Sequence, residues 1–511
     1  MSQATGVRSL LRRALAAWHT RLDPGGEKPA VVHYRTAPED RISFPRKLAY
    51  GAGAFVNNLL AAAIGGMLIV LNLGLGMNPA MVGLVGALPR ITDALTDPMM
   101  GYISDHTRSR WGRRRPYIFL GAIASGLVFW AMWQVPRGRS DTFYFWFFLI
   151  GSNVFYLAYT VFATPWVALG YELTPDYHER TRLMGVQNFI GQLAYVVAPW
   201  FLWIMTYKPW FQDQVQGAAT LALGIGLFAA GLGILPAVFL RERFQQIART
   251  EAELAKAREP GGLGRSMRDF FKGLKATLSS RPFLKLGLAT FLVFNGFILV
   301  SSFQSYVIIY YVFAGDQARG AEFAGYSGTL GAISTFGVIF FITWLGTKIG
   351  KRRAFFVSTG ISMLGYGMKW FAYDPGNPWL ILLPTPFLAF GLGGLFTLMG
   401  SMIADVVDVD ELESHQRREG MFGSIFWWVV KLGMAAALAG GGFLLNATGF
   451  DVDLGGRQAE RTITLMRIFD AFLPMLTSGV AIWAIASYPI TEEVAHEVRA
   501  KLEARRGTGA V

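Results

Sequence analysis

The sequence predicts an all-α membrane protein of about twelve transmembrane helices, arranged as two halves of six. Three observations carry that prediction. Only 16% of the 511 residues are charged and 53% are hydrophobic, where an average soluble domain is about 25% charged. The apolar residues fall in blocks of at least ~20, long enough to cross about 30 Å of hydrocarbon as helices. A long polar stretch interrupts these blocks near the middle of the chain, with six on either side.

Taken in order, residues 1–46 read as a cytosolic tail and not as a secretory signal, because Ser9 to Leu15 is apolar only in patches. Leu10, Leu11, Leu15 and Trp18, with Arg8, Arg12 and Arg13, form either a short helix on the membrane surface or part of a polar tail. The N-terminal six-helix half, 47–241, holds spans near 48–74, 80–103, 116–135, 142–172, 184–206 and 216–240. A cytosolic linker, 242–282, is rich in Arg, Lys and Glu and carries Pro260-Gly261-Gly262. The C-terminal half, 283–489, has spans near 283–313, 321–345, 354–373, 378–404, 420–445 and 463–488, and a cytosolic tail follows over 490–511.

The net charge of +13 raises the question of nucleic acid, but its placement answers it. Arg108, Arg110, Arg113, Arg114 and Arg115 lie in the second loop, and Arg180 and Arg182 in the fourth. Lys348, Lys351, Arg352 and Arg353 lie in the eighth, and Arg417 and Arg418 in the tenth. Arg137, Arg139, Arg457 and Arg461 are the exceptions in the odd loops. The positive-inside rule then puts the even loops, the linker and both termini in the cytoplasm of a multi-pass cell-membrane protein, with no nucleic-acid partner. The absence of cysteine excludes disulfides and thiol chemistry. With no phosphate loop, nucleophile elbow or metal cluster, neither an enzyme nor a cofactor is expected.

An ionisable side chain in mid-span costs about 2.5–3.5 kcal/mol on insertion, so each is a functional candidate. The second span has Arg90, Asp93 and Asp97 in Leu88-Pro89-Arg90-Ile91-Thr92-Asp93-Ala94-Leu95-Thr96-Asp97-Pro98. Asp93 and Asp97, at i and i+4, share a helix face and can share a proton or a hard cation such as Na+, with Thr96 lending a hydroxyl. The plain alternative is that Arg90 neutralises Asp93 and Asp97 begins the cytosolic cap. Lys431 lies well inside the eleventh span and needs a carboxylate or a polar cavity. Lys369 and Arg467 lie near span ends, where snorkelling satisfies them.

Gly101-Tyr102-Ile103-Ser104-Asp105 running into Trp111-Gly112-Arg113-Arg114-Arg115 is echoed after the eighth span by Gly346-Thr347-Lys348-Ile349-Gly350-Lys351-Arg352-Arg353. This resembles the signature of the major facilitator superfamily, whose two six-helix halves rock about a central site. Asp93 to Gly101 and Thr107 to Pro116 further resemble the glycoside–pentoside–hexuronide cation symporters. So do Lys47 to Phe55, Tyr159 to Pro165, Ala404 to Asp408, and Lys431. The resemblance implies a coupling Na+, Li+ or H+ at Asp93 and Asp97, helped by Thr160, with Lys431 nearby. Sodium-dependent lysophospholipid transporters are similar as well and keep a Thr where Thr96 stands.

The chain departs from the galactoside-recognising members of that family, whose acidic residues and arginine fall here at Asn58, Ala163 and Asn188. What remains for a substrate is Asn57, Asn58, Asn188 and Gln192 as hydrogen-bonding groups. Tyr159, Trp166, Trp427 and Trp428 offer ring faces, and Arg90 and Lys431 offer charge. Asp105 with Arg113, Arg114 and Arg115, and Glu172 with Arg180, are expected either to pair as cytosolic gates that hold the outward-open state or to be solvated loop charges. The reading is a monomeric symporter that uses alternating access, with Na+ favoured over H+ and a sugar, glycoside or uronide as substrate. A lysolipid or other amphiphile is the alternative substrate, and a non-transporting receptor on the same fold the remaining one.

Overall fold

The computed structural model describes residues 38–107, 109–174, 177–242, 277, 279–414 and 419–505. The surface helix considered for residues 8–18 and most of the linker lie outside the described residues. The N-terminal half contains α1 (Phe44–Met67), α2 (Pro79–His106), α3 (Arg115–Met132), α4 (Asp141–Glu172), α5 (Tyr177–Val197) and α6 (Gln214–Gly233). The C-terminal half contains α7 (Arg281–Val307), α8 (Gln317–Ile349), α9 (Lys351–Ala372), α10 (Thr385–Ser414), α11 (Glu419–Ala447) and α12 (Glu460–Ala486). A further helix, α13 (Glu492–Arg505), follows. Several helices start on a proline, Pro45, Pro79, Pro116 and Pro282 among them, where the missing N–H would have had no partner. Asn78 also caps α2, and Ser140, Asp213 and Asp316 cap α4, α6 and α8, by accepting backbone N–H groups.

Of the twelve long helices, ten have the length and composition to cross a membrane. The two that fall short, α2 and α9, carry Arg90, Asp93 and Asp97, and Lys351 to Arg353 with Lys369. Their neighbours let them cross: α2 packs on α4 and α11, and α9 on α10 and α12. The helix contacts repeat between halves. The α1–α5, α3–α4, α2–α4 and α3–α6 contacts are matched by α7–α11, α9–α10, α8–α10 and α9–α12. The contacts between halves, α2 with α11 and α5 with α8, exchange when each helix is replaced by its counterpart. This is a two-fold internal repeat of two six-helix halves.

The two ends of the bundle differ. At the end away from the Arg-rich loops, one apolar core runs through both halves. It joins Leu60, Val70 and Phe201 of the first half to Tyr306, Tyr310, Phe323 and Phe450 of the second. Tyr306 donates to Asn72 (3.1 Å), Trp200 to Thr329 (2.8 Å) and Asn78 to Asn446 (3.1 Å). There α2 and α11 cross on glycine: a Cβ on Gly442 would lie 2.9 Å from Gly83 Cα and closer still to Pro79 O. Near the basic loops, the second half instead has a separate core of its own, around Phe283, Met402, Phe422 and Tyr488. Among the described residues, the halves thus share an apolar core at one end and have separate cores at the basic end.

Two expectations change here. Lys369 does not snorkel: it is 1% exposed and forms a 2.6 Å ion pair with Asp470 of α12. Arg467 lies between the rings of Tyr311 and Trp370, at 4.0 and 4.3 Å, and donates to Trp370 O. Aromatic faces and a buried carboxylate satisfy these cations where they stand, so neither needs to reach a headgroup.

Candidate functional site

Asp93 and Asp97 stand one turn apart on α2, and opposite them Thr160 and Thr164 stand one turn apart on α4. The Thr160 hydroxyl lies 3.1 Å from Asp93 Oδ1 and 3.2 Å from Asp97 Oδ1, so its single proton can serve either carboxylate. Thr164 donates to Asp97 Oδ1 at 3.2 Å. Pro98 removes the N–H that would have closed the helix onto Ala94 O, which loosens α2 beside the carboxylates. Below them Thr92 donates to Asn153 (2.7 Å), which clamps α2 to α4.

Lys431 of α11 reaches across from the other half. Its ammonium lies 2.8 Å from Asp93 Oδ2 and also binds Asp97 Oδ2. Asp93 is sealed, with 2% of its side chain exposed, whereas Asp97 is 36% exposed toward the gap between halves. A monocation thus already sits between two carboxylates whose Oδ1 atoms are held by two hydroxyls, oxygen donors of the kind a hard cation takes.

The other expected residues sort less cleanly. Thr96 turns its hydroxyl to Asp93 O of its own helix (3.2 Å) and lies 3.5 Å from that of Thr160. Its place at the carboxylates is taken by Thr164, which the Thr160-x-x-x-Thr164 spacing could have revealed. Tyr159 donates to Asn57 Oδ1 (2.7 Å), Asn57 to Asn58 (3.2 Å) and Asn58 to Gly191 O (3.0 Å), a polar chain from α4 through α1 to α5. Asn188, one turn before Gly191, is exposed.

Trp166 is not a pocket residue. It is buried at 2%, stacks on Tyr50 (5.2 Å) and donates to Tyr50 O, and a Cβ on Gly53 would strike its ring. Small residues on α1 let this large indole into the core of the first half. Nor does Arg90 neutralise Asp93, which Lys431 engages; the Arg90 guanidinium lies over the Tyr156 ring at 4.8 Å.

The expected gate residues brace the first half. Glu172 pairs with Arg113 and Arg114, both at 2.6 Å. Glu242 accepts the backbone N–H groups of Arg113, Arg114 and Arg115 at the start of α3 (2.9, 2.8 and 3.2 Å). Arg115 also donates to Ala237 O (2.6 Å), and Arg180 to Thr174 O (3.1 Å). Beside them, burial pulls the Glu179 carboxyl up. Lys47, the Ile42 N–H and Arg182 outweigh that and hold it below the usual carboxylate range. The side chain of Asp105 lies outside the described residues. These named pairs all join N-half residues and tie that half together.

Comparison with known proteins agrees with this architecture. The family described as MFS/sugar transport protein matches residues 48–492. The isoprimeverose transporter of Lactiplantibacillus pentosus is 23% identical, over 94% of each chain. The sodium-dependent lysophosphatidylcholine symporter 1 of Mus musculus is 22% identical, over 94% of this chain and 92% of its own. A bacterial homologue of the human lysosomal transporter Spinster, solved inward-facing and unoccupied, superposes over 90% of this chain and 99% of its own. Its TM-score is 0.62 and its identity 14%, so it speaks for the fold alone.

Proposed function

This chain belongs to the MFS/sugar transport protein family, and from that premise we propose that it is a cation-coupled symporter working by alternating access, Na+ being favoured over H+. Its basic loops mark the cytoplasmic side, so the conformation described above is open to the cytoplasm and sealed outside. One observation carries the reading: Lys431 of one half occupies a carboxylate-and-hydroxyl site built by the other. A cation that binds there competes with the Lys431 ammonium for Asp93 and Asp97, and so changes the link between halves. Ion binding and rocking are coupled by that geometry.

The substrate proposed is a sugar, glycoside or uronide, bound in the gap near Asn58, Tyr159 and Asn188. The family description and the isoprimeverose transporter support it. A lysolipid is the second reading, favoured by the mouse relative and by Asn58 and Ala163 standing where carboxylates would grip a sugar.

Purified protein in liposomes tests the coupling. An inward Na+ gradient should drive accumulation of a substrate found by thermal-shift screening of sugars and lysolipids, and Asp93→Asn or Asp97→Asn should reduce it to background while insertion is unchanged. Uptake driven by a pH gradient in sodium-free buffer, indifferent to added Na+, would overturn the choice of ion. Gradient-dependent uptake in both variants would overturn the site.

A further inference from the structure

Arg90 lies in the middle of α2 and is 8% exposed. Its guanidinium rests on the Tyr156 ring, and among the described residues it has no carboxylate within ion-pair distance and no hydrogen-bond acceptor; its Nε is buried without a partner. A guanidinium offers five donors in a planar fork that matches carboxylate and phosphate oxygens. In front of it is a cavity of about 10 Å3, lined by Gly65 of α1 and Leu68 just after it, Gly86 of α2, Ser152 and Tyr156 of α4, and Leu438 of α11. That cavity spans the two halves just inside the glycine crossing, so it widens when the sealed end parts.

The charges nearby give this vacancy of partners a meaning. Asp93, Asp97, Lys431 and Arg90 form a central group of two formal negative and two formal positive charges. Lys431 has both carboxylates and Arg90 has neither. Adding one Na+ leaves the group with one excess positive charge, and adding an anionic group alone leaves one excess negative. Closing either state away from water inside low-dielectric protein is costly, whereas the empty and doubly loaded groups are balanced.

We infer that Arg90 is the anchor for an anionic group of the substrate, a carboxylate or a phosphate, and that charge balance about this group enforces one-to-one, electroneutral coupling of cation and substrate. This rests on the symport reading above. It has a consequence that neutral recognition lacks: removing the Arg90 charge makes the group balanced with Na+ alone, so the variant should carry Na+ without substrate.

The test uses full-length protein in liposomes. In liposomes preloaded with unlabelled Na+, substrate-free 22Na+ influx by exchange should rise about tenfold in Arg90→Gln, a change equivalent to ~1.4 kcal/mol, and stay at the wild-type level in Arg90→Lys, with thermal unfolding confirming that both are folded. Binding is read as the thermal shift with D-glucuronate against D-glucose, and with lysophosphatidic acid against monoacylglycerol. A wild-type preference for the acid of one pair, lost in Arg90→Gln, assigns the anion to a sugar or to a lipid. Unchanged 22Na+ influx in a folded Arg90→Gln, or equal shifts with acid and neutral probes, overturns the inference while leaving symport standing. Wild-type protein that does not respond to Na+ takes down both.

Discussion

Two of the charge groups within the membrane-spanning helices are built on opposite plans. Lys369 and Asp470 pair at 2.6 Å inside one half, each at most 2% exposed. Asp93, Asp97, Lys431 and Arg90 are divided between halves and partly exposed, with one ammonium shared by two carboxylates and a guanidinium unmatched. Both groups are buried charge in a membrane protein, so burial by itself does not mark function. What separates them is whether the balance is complete and whether the partners stay together when the halves move. The first pair braces α9 to α12; the second, on the symport reading proposed above, changes partners.

The largest effect expected from this contrast is on stability. Lys369→Ala or Asp470→Ala should each cost about 3–5 kcal/mol by leaving a buried charge alone, seen as a fall in thermal unfolding temperature and yield. The double variant Lys369→Met with Asp470→Leu should recover most of it and retain Na+-dependent uptake. A folded double variant without Na+ dependence would erase the distinction between the two groups.

A smaller effect tests whether the Lys431 bridge crosses a moving interface. Gly442→Val leaves no room at the α2–α11 crossing, so the sealed end should open more often. The chain has no cysteine, so a single Ser152→Cys reporter beside Arg90 reads this directly. Its modification by an impermeant thiol reagent from the sealed side should speed up by about tenfold, equivalent to ~1.4 kcal/mol between states. An unchanged rate would mean that the crossing does not act as a seal.

The smallest effect separates neighbouring hydroxyls. Thr164→Val removes a donor to Asp97 and should weaken Na+ about fivefold, near 1 kcal/mol. Thr96→Val, whose hydroxyl faces its own backbone, should do less. The reverse order in Na+ titrations of the purified variants would restore Thr96 as a ligand.

The fold was legible in the sequence because lipid leaves few solutions. Apolar blocks of span length, a polar break and basic even loops point to one architecture, and the carboxylates of α2 announce themselves by their cost. Pairings across the fold were not legible. Lys369 and Arg467 look like end-of-helix cations until Asp470, Tyr311 and Trp370 are seen beside them. Trp166 is a plausible stacking face until Gly53 shows where it is accommodated. Helical spacing says which residues share a face, and only tertiary packing says what that face meets. Thr164 was within reach of the spacing argument, since it repeats on α4 the interval of Asp93 and Asp97 on α2.

The core that runs through both halves at the sealed end has a thermal consequence. Parting that end exposes Tyr306, Tyr310, Phe323 and Phe450 to water, and apolar exposure raises heat capacity. Unless the opposite end gathers an equal area when it closes, the two conformations differ in heat capacity, and their ratio cannot follow a straight van't Hoff line. Cooling weakens the apolar seal. On the alternating-access reading, which side the carrier faces should then depend on temperature as well as on ions, and a carrier tuned for one working range should rest facing the other way when chilled.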